Sequence, residues 1–76
     1  MEQDEATGVL RQVGRNIKAE RARREWTQKG LAHAAGLGVA QVARMERGEL
    51  DTGITKYIRV ARALKVAPAL LLLGIE

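Results

Sequence analysis

Cysteine, serine and phenylalanine are absent from this 76-residue chain, and proline and histidine occur once each. Without cysteine there is neither a disulfide nor a thiolate metal site to staple so small a domain. His33 has no second His or Cys with which to share a metal, and no Ser or Cys is present to act as a nucleophile. That inventory argues against an enzyme and against any cofactor. Aromatic residues are limited to Trp26 and Tyr57, too few for a series of stacking platforms, so both are read as packing residues. Long apolar runs are also missing. The longest, Val66 to Ile75, is broken by Pro68 and Gly74 and falls far short of the about 20 residues that span a bilayer. The acidic N-terminus has no apolar targeting core, so a cytoplasmic protein that meets no membrane is expected.

What is present is 46% hydrophobic residue, rich in Ala, Leu and Val, which suits one domain of packed helices rather than sheets. The formal charge is +4, but three of the nine acids, Glu2, Asp4 and Glu5, crowd the first five residues. The remainder carries 13 basic side chains against six acidic ones, a body of +7 that suits a polyanionic partner. Residues 1–7 read as a flexible acidic tail and 8–76 as the domain.

Leu10, Val13 and Ile17 recur at helical spacing and predict an amphipathic helix from Val9 to Arg24. Gly14 within it costs about 1 kcal/mol relative to alanine, which points to a close packing contact there. Thr27 is an N-cap for a helix over 28–35 that Gly36 stops in the left-handed conformation. A third helix over about 39–46 turns Val42 and Met45 inward and ends at Gly48. Glu49 to Thr52 is a polar connector with Leu50 exposed. Ile54, Tyr57, Ile58, Ala61 and Leu64 give the clearest stripe in the chain and predict a helix over 54–64. Pro68 suits the first turn of a last short helix, 69–73.

The pair 28–35 and 39–46, joined by a Gly-containing turn, has the layout of a helix-turn-helix. Ala32 is small where the two helices must cross. Gly36 tolerates positive φ. Leu31, Leu37, Val42 and Met45 are the apolar anchors. The stretch Thr27-Gln28-x-x-Leu31-Ala32-x-x-Ala35-Gly36-Leu37, with Val42-x-x-Met45-Glu46-Arg47-Gly48, resembles the Xre/Cro-type, lambda-repressor-like DNA-binding family. Ile17-Lys18-x-x-Arg21 and Val60-Ala61-Arg62-Ala63-Leu64-Lys65-Val66 fit it as well, so the resemblance covers about residues 9–73. It implies an all-α, five-helix fold acting as a homodimer on a palindromic operator. There are three departures. Gly30 replaces the usual Glu of a capping box, Gly38 replaces a Ser or Thr cap, and Glu20 replaces a core Leu, removing one anchor.

The resemblance also assigns roles. Val39, Ala40, Gln41 and Arg44 face base edges in the major groove. Gln28, Lys29, Arg47, Thr52, Gly53 and Lys56 meet phosphates. Arg21 pairs with Glu46 as a structural ion pair. Four consecutive leucines, 70–73, point all round a helix axis and exceed what one core face can bury. Pro68, Leu70, Leu72 and Leu73 are accordingly expected at a dimer interface. The implied function is a sequence-specific transcriptional regulator of double-stranded DNA, a repressor or autoregulator of bacterial or phage origin, with no small-molecule ligand. The alternative is the same fold used as a protein-interaction module, such as an antitoxin or a phage or restriction-modification accessory. Retention on duplex DNA separates the two.

Overall fold

The computed structural model describes residues 3–76 and contains four α-helices: α1 (Gln3–Arg23), α2 (Gln28–Ala35), α3 (Val39–Glu46) and α4 (Ile54–Leu64). A 3-10 helix, Pro68–Leu72, closes the chain. No strand occurs among the described residues. The core is a single apolar cluster with Ile17, Leu31, Val42, Met45, Val60 and Leu64 at its fully buried centre. Among the described residues no helix is long and apolar enough to cross a membrane.

Each α-helix ends in the same way. An N–H two or three residues past the helix reaches back to a carbonyl five residues earlier: Trp26 to Arg21, Leu37 to Ala32, Glu49 to Arg44 and Val66 to Ala61. This closure places the preceding residue in the left-handed region. At α2 and α3 that residue is Gly36 or Gly48; at α1 and α4 it is Glu25 (φ 56°) or Lys65 (φ 59°). In three of the four cases the residue that follows, Trp26, Leu37 or Val66, packs on the core and locks the helix end to it.

The expected fifth α-helix is instead a five-residue 3-10 turn. Pro68 contributes no N–H, and the segment is too short for a regular helix. Asn16 Nδ2 also donates to the carbonyls of Leu71 and Leu73, both at 2.8 Å, and fixes the turn against α1. Helix α1 begins at Gln3, six residues before the expected start, because extending a nucleated helix needs no apolar period of its own. Residues 1 and 2 of the expected tail lie outside the described residues. Leu50, expected to be exposed, is half-buried and packs against the core. Glu20 is buried despite its charge. Its carboxylate is held by Arg23 and by Arg24, which also donates to the Glu20 carbonyl at 2.7 Å. Ile54, expected on the inner stripe of α4, is 69% exposed.

Candidate nucleic-acid interface

The position of α3 is set from behind. A Cβ on Gly14 would lie 2.4 Å from the Glu46 carbonyl oxygen and 2.6 Å from that of Met45. Only glycine lets α1 approach the end of α3 so closely. Val42, Met45 and Glu46 form the buried side of α3, and Leu31, Ala32 and Ala35 the buried side of α2. Between the two helices, Gly36 sits at φ 69° and Gly38 in an extended conformation, so the chain reverses within three residues.

A charged clamp joins the pair to α1. Arg21 donates to Glu46 twice, Nε to Oε2 at 2.7 Å and Nη2 to Oε1 at 3.0 Å, while its Nη1 donates to the Trp26 carbonyl at 2.8 Å. Gln28 Nε2 adds a third donor to the Glu46 carboxylate at 3.1 Å. The Glu46 side chain is 2% exposed and that of Arg21 14%. The hydrogen-bonded carboxylate raises the Arg21 guanidinium above its ordinary value, against the opposing effect of burial. Residues from α1 and α2 thus meet on the Glu46 carboxylate of α3, with donors to both of its oxygens.

The outer side of α3 carries Val39, Ala40 and Arg44, all exposed, with Gln41 half-buried beside them. Arg44 makes no ion pair among the described residues. Its N-cap, Gly38, supplies no side-chain hydrogen bond, which leaves the first N–H groups of α3 without a side-chain partner. At the start of α2, Lys29 is exposed, whereas the Gln28 amide is engaged with Glu46. Thr27 caps α2 by accepting from the Gly30 N–H at 2.9 Å. Arg47 is exposed and paired with Glu49 through two 3.0 Å contacts, and that pairing lowers the Glu49 carboxyl below its usual range. Gly53 is the uncapped start of α4, flanked by half-buried Thr52 and Lys56. The phenol of Tyr57 donates to the Leu50 carbonyl at 2.9 Å and braces the α3–α4 connector.

At the C-terminus Leu71 is core, Leu70 is half-buried, Pro68 is exposed, and Leu72 and Leu73 are 54% and 57% exposed. Two residues escape the sequence reading. Asn16 is an unremarkable polar residue on α1, and nothing local marks it as the anchor of a turn 55 residues away. Ile54 is hidden by its own regularity, since it continues the buried α4 stripe by one step beyond the core.

Residues 17–71 match the family model described as helix-turn-helix. No curated protein matches the chain in sequence. Among solved structures, the chain is similar to the restriction-modification controller protein C.AhdI from Aeromonas hydrophila. The two are 27% identical over 82% of this chain and 94% of that one, with a TM-score of 0.80. The hypothetical transcription factor NHTF from Neisseria is 29% identical over 86% of this chain and 75% of that one, with a TM-score of 0.82. The clp gene regulator ClgR from C. glutamicum, 20% identical over 90% of this chain and 96% of that one, shares the fold with a TM-score of 0.80.

Proposed function

The chain belongs to the helix-turn-helix family, and from that premise we propose that it is a sequence-specific DNA-binding transcriptional regulator, a homodimeric repressor or autoregulator acting in the cytoplasm. The observation that carries this reading is the two-sidedness of α3. One side is sealed into the core and clamped by Arg21 and Glu46, and the other presents Val39, Ala40 and Arg44 to solvent. Such a helix suits the major groove, where small apolar side chains meet thymine methyls and an Arg fork matches guanine O6 and N7. Gln41 lies beside them as a further base contact. Lys29, Arg47, Thr52, Gly53 and Lys56 flank the helix as phosphate contacts, and Gln28 joins them through the N–H groups that open α2. Pro68, Leu70, Leu72 and Leu73 pair two copies, which sets the two α3 helices about 34–36 Å apart, one turn of DNA. The likeness to C.AhdI, a restriction-modification controller of which this chain covers 94%, supports the regulatory reading.

The test is selection of bound duplexes from a random pool, followed by binding of Arg44→Ala and Lys29→Ala to operators varied one base pair at a time. A two-fold symmetric site with a thymine step followed within a few base pairs by guanine is expected. Arg44→Ala should lose about 1–3 kcal/mol and relax preference at that guanine alone, while Lys29→Ala should weaken all sequences alike. Failure of the native chain to enrich any duplex would sink the proposal.

A further inference from the structure

The C-terminal half of α2 and the outer face of α4 border a shallow groove of about 480 Å³. Ala35 and Ala63, both packed on the core, form its floor. His33, Arg59 and Arg62 are exposed around it, and no carboxylate lines it. Arg21, Arg23, Arg24 and Arg47 each meet a carboxylate, whereas Arg59 and Arg62 make no ion pair among the described residues. From this arrangement we infer that the groove receives an acidic segment of another protein, which sets one small aliphatic side chain on the alanine floor and carboxylates on the two arginines.

Helix ends explain part of the basic set, since His33 and Arg62 lie in last turns, where a cation suits the helix dipole. Arg59 is in mid-helix and has no such reason. It stands one turn before Arg62 on the same face, and like charges so placed repel each other. A partner carboxylate between them removes that repulsion and meets two guanidinium forks. The alanine floor adds an apolar contact that a bare anion cannot use. Placement favours a protein over the duplex, and for this step alone the inference rests on the DNA-binding reading. There the starts of α2 and α4, with Lys29 and Lys56, meet phosphates, and His33 and Arg62 lie about 6 and 9 Å further along the two helix axes. The groove therefore opens beside the DNA-facing surface, toward a protein bound next to this chain. A molecule of net charge +4 is a poor counter-charge for its own copy, which makes that neighbour a different protein.

The probe is a fluorescein-labelled helical peptide with glutamates one turn either side of a single leucine, beside a copy with glutamine for glutamate. Anisotropy measures its binding to the full chain without DNA, and amide shifts in nuclear magnetic resonance locate it. The acidic peptide should bind and move the amides of Ala34, Gly36 and Ala63, while the glutamine copy should not. Arg59→Glu should weaken the acidic peptide by about 10-fold or more, whereas Lys18→Glu, an equal charge change at an exposed position on α1, should stay within about 2-fold. Arg59 is exposed, so its variants should melt as folded proteins; if Arg59→Glu does not, Arg59→Gln replaces it. Equal binding of the glutamine copy, or equal weakening by Lys18→Glu, overturns the assignment. So does the same set of amide shifts with inorganic phosphate, which makes the groove a small-anion site, or on concentrating the native chain alone, which gives it to a second copy. Loss of affinity for every duplex in Arg59→Gln, with a shallower salt dependence, gives it to the DNA backbone instead. A native chain that binds the peptide but selects no duplex overturns the DNA-binding reading and leaves the groove standing.

Discussion

Arg21 shows how much a single side chain supports in a domain of this size. It fills both oxygens of a carboxylate that is almost fully buried and also holds the Trp26 carbonyl. Removing it leaves Glu46 charged and half-donated in the interior, so Arg21→Ala should cost about 3–5 kcal/mol, a large share of the about 5–15 kcal/mol that holds a domain together. Arg21→Lys should rescue little, because one ammonium cannot reproduce a planar fork. Urea unfolding checks both, and unchanged stability with weaker DNA binding would make Arg21 a phosphate contact instead. Tyr57 is the second residue with a measurable signature. Burial pushes its phenol above the usual value of about 10, partly offset by a hydrogen bond from the Thr52 backbone, while Asp51 adds to the rise. The folded protein therefore holds this proton more tightly than the unfolded chain does. The stabilisation is complete below pH about 10 and is lost as pH rises through the raised folded value. Tyr57→Phe should cost about 1 kcal/mol at neutral pH through the lost bond to Leu50, and the gap between the two proteins should shrink above pH 10. A gap that stays constant to pH 11 would remove the phenol from this role.

At the level of elements, the helix ends separate what the sequence shows from what it hides. Thr27, Gly36 and Gly48 are strong punctuation, and α2, α3 and α4 lie where the capping and periodicity place them. Helices α1 and α4 end by the same closure without glycine, so Glu25 and Lys65 carry no local sign of their left-handed backbone. That conformation costs a side-chain-bearing residue about 1–2 kcal/mol, part of which glycine returns as extra freedom in the unfolded chain. Glu25→Gly and Lys65→Gly should each stabilise by up to about 1 kcal/mol, near-additively because they end different helices. Thermal melting should rise by about 4–8 °C per kcal/mol; a fall at either position would mean that its side chain does more than terminate a helix. The C-terminal turn was beyond local reading for another reason. Its winding depends on Asn16, which meets Leu71 and Leu73 only after the whole chain has folded. The site divides in the same way. Exposure on α3 follows from its period, whereas the engagement of Gln28 by Glu46 and of Arg47 by Glu49 depends on partners that spacing alone does not identify.

For the whole molecule the governing quantity is charge brought to DNA. On the proposed interface Lys29, Arg47 and Lys56 are the basic phosphate contacts, and the proposed dimer doubles them to six. Each phosphate neutralised releases counterions, so the slope of log K against log salt should be about −5 on a two-site B-DNA operator. Arg47 complicates this count, because its guanidinium already faces Glu49, and that pairing lowers the Glu49 carboxyl below its usual range. To reach a phosphate, Arg47 must leave that carboxylate, and the phosphate must tolerate Glu49 close by. Glu49→Gln removes the competition without removing the cation. It should therefore tighten binding to every duplex, specific or not, while leaving the slope near −5. Arg47→Ala should instead flatten the slope to about −4, since two of six neutralisations are lost. Titrations at several salt concentrations distinguish these cases. If Glu49→Gln steepens the native slope from about −4 to about −5, Arg47 stays bound to Glu49 on native DNA complexes and only four cations act. A native slope near zero would remove DNA binding from the function altogether.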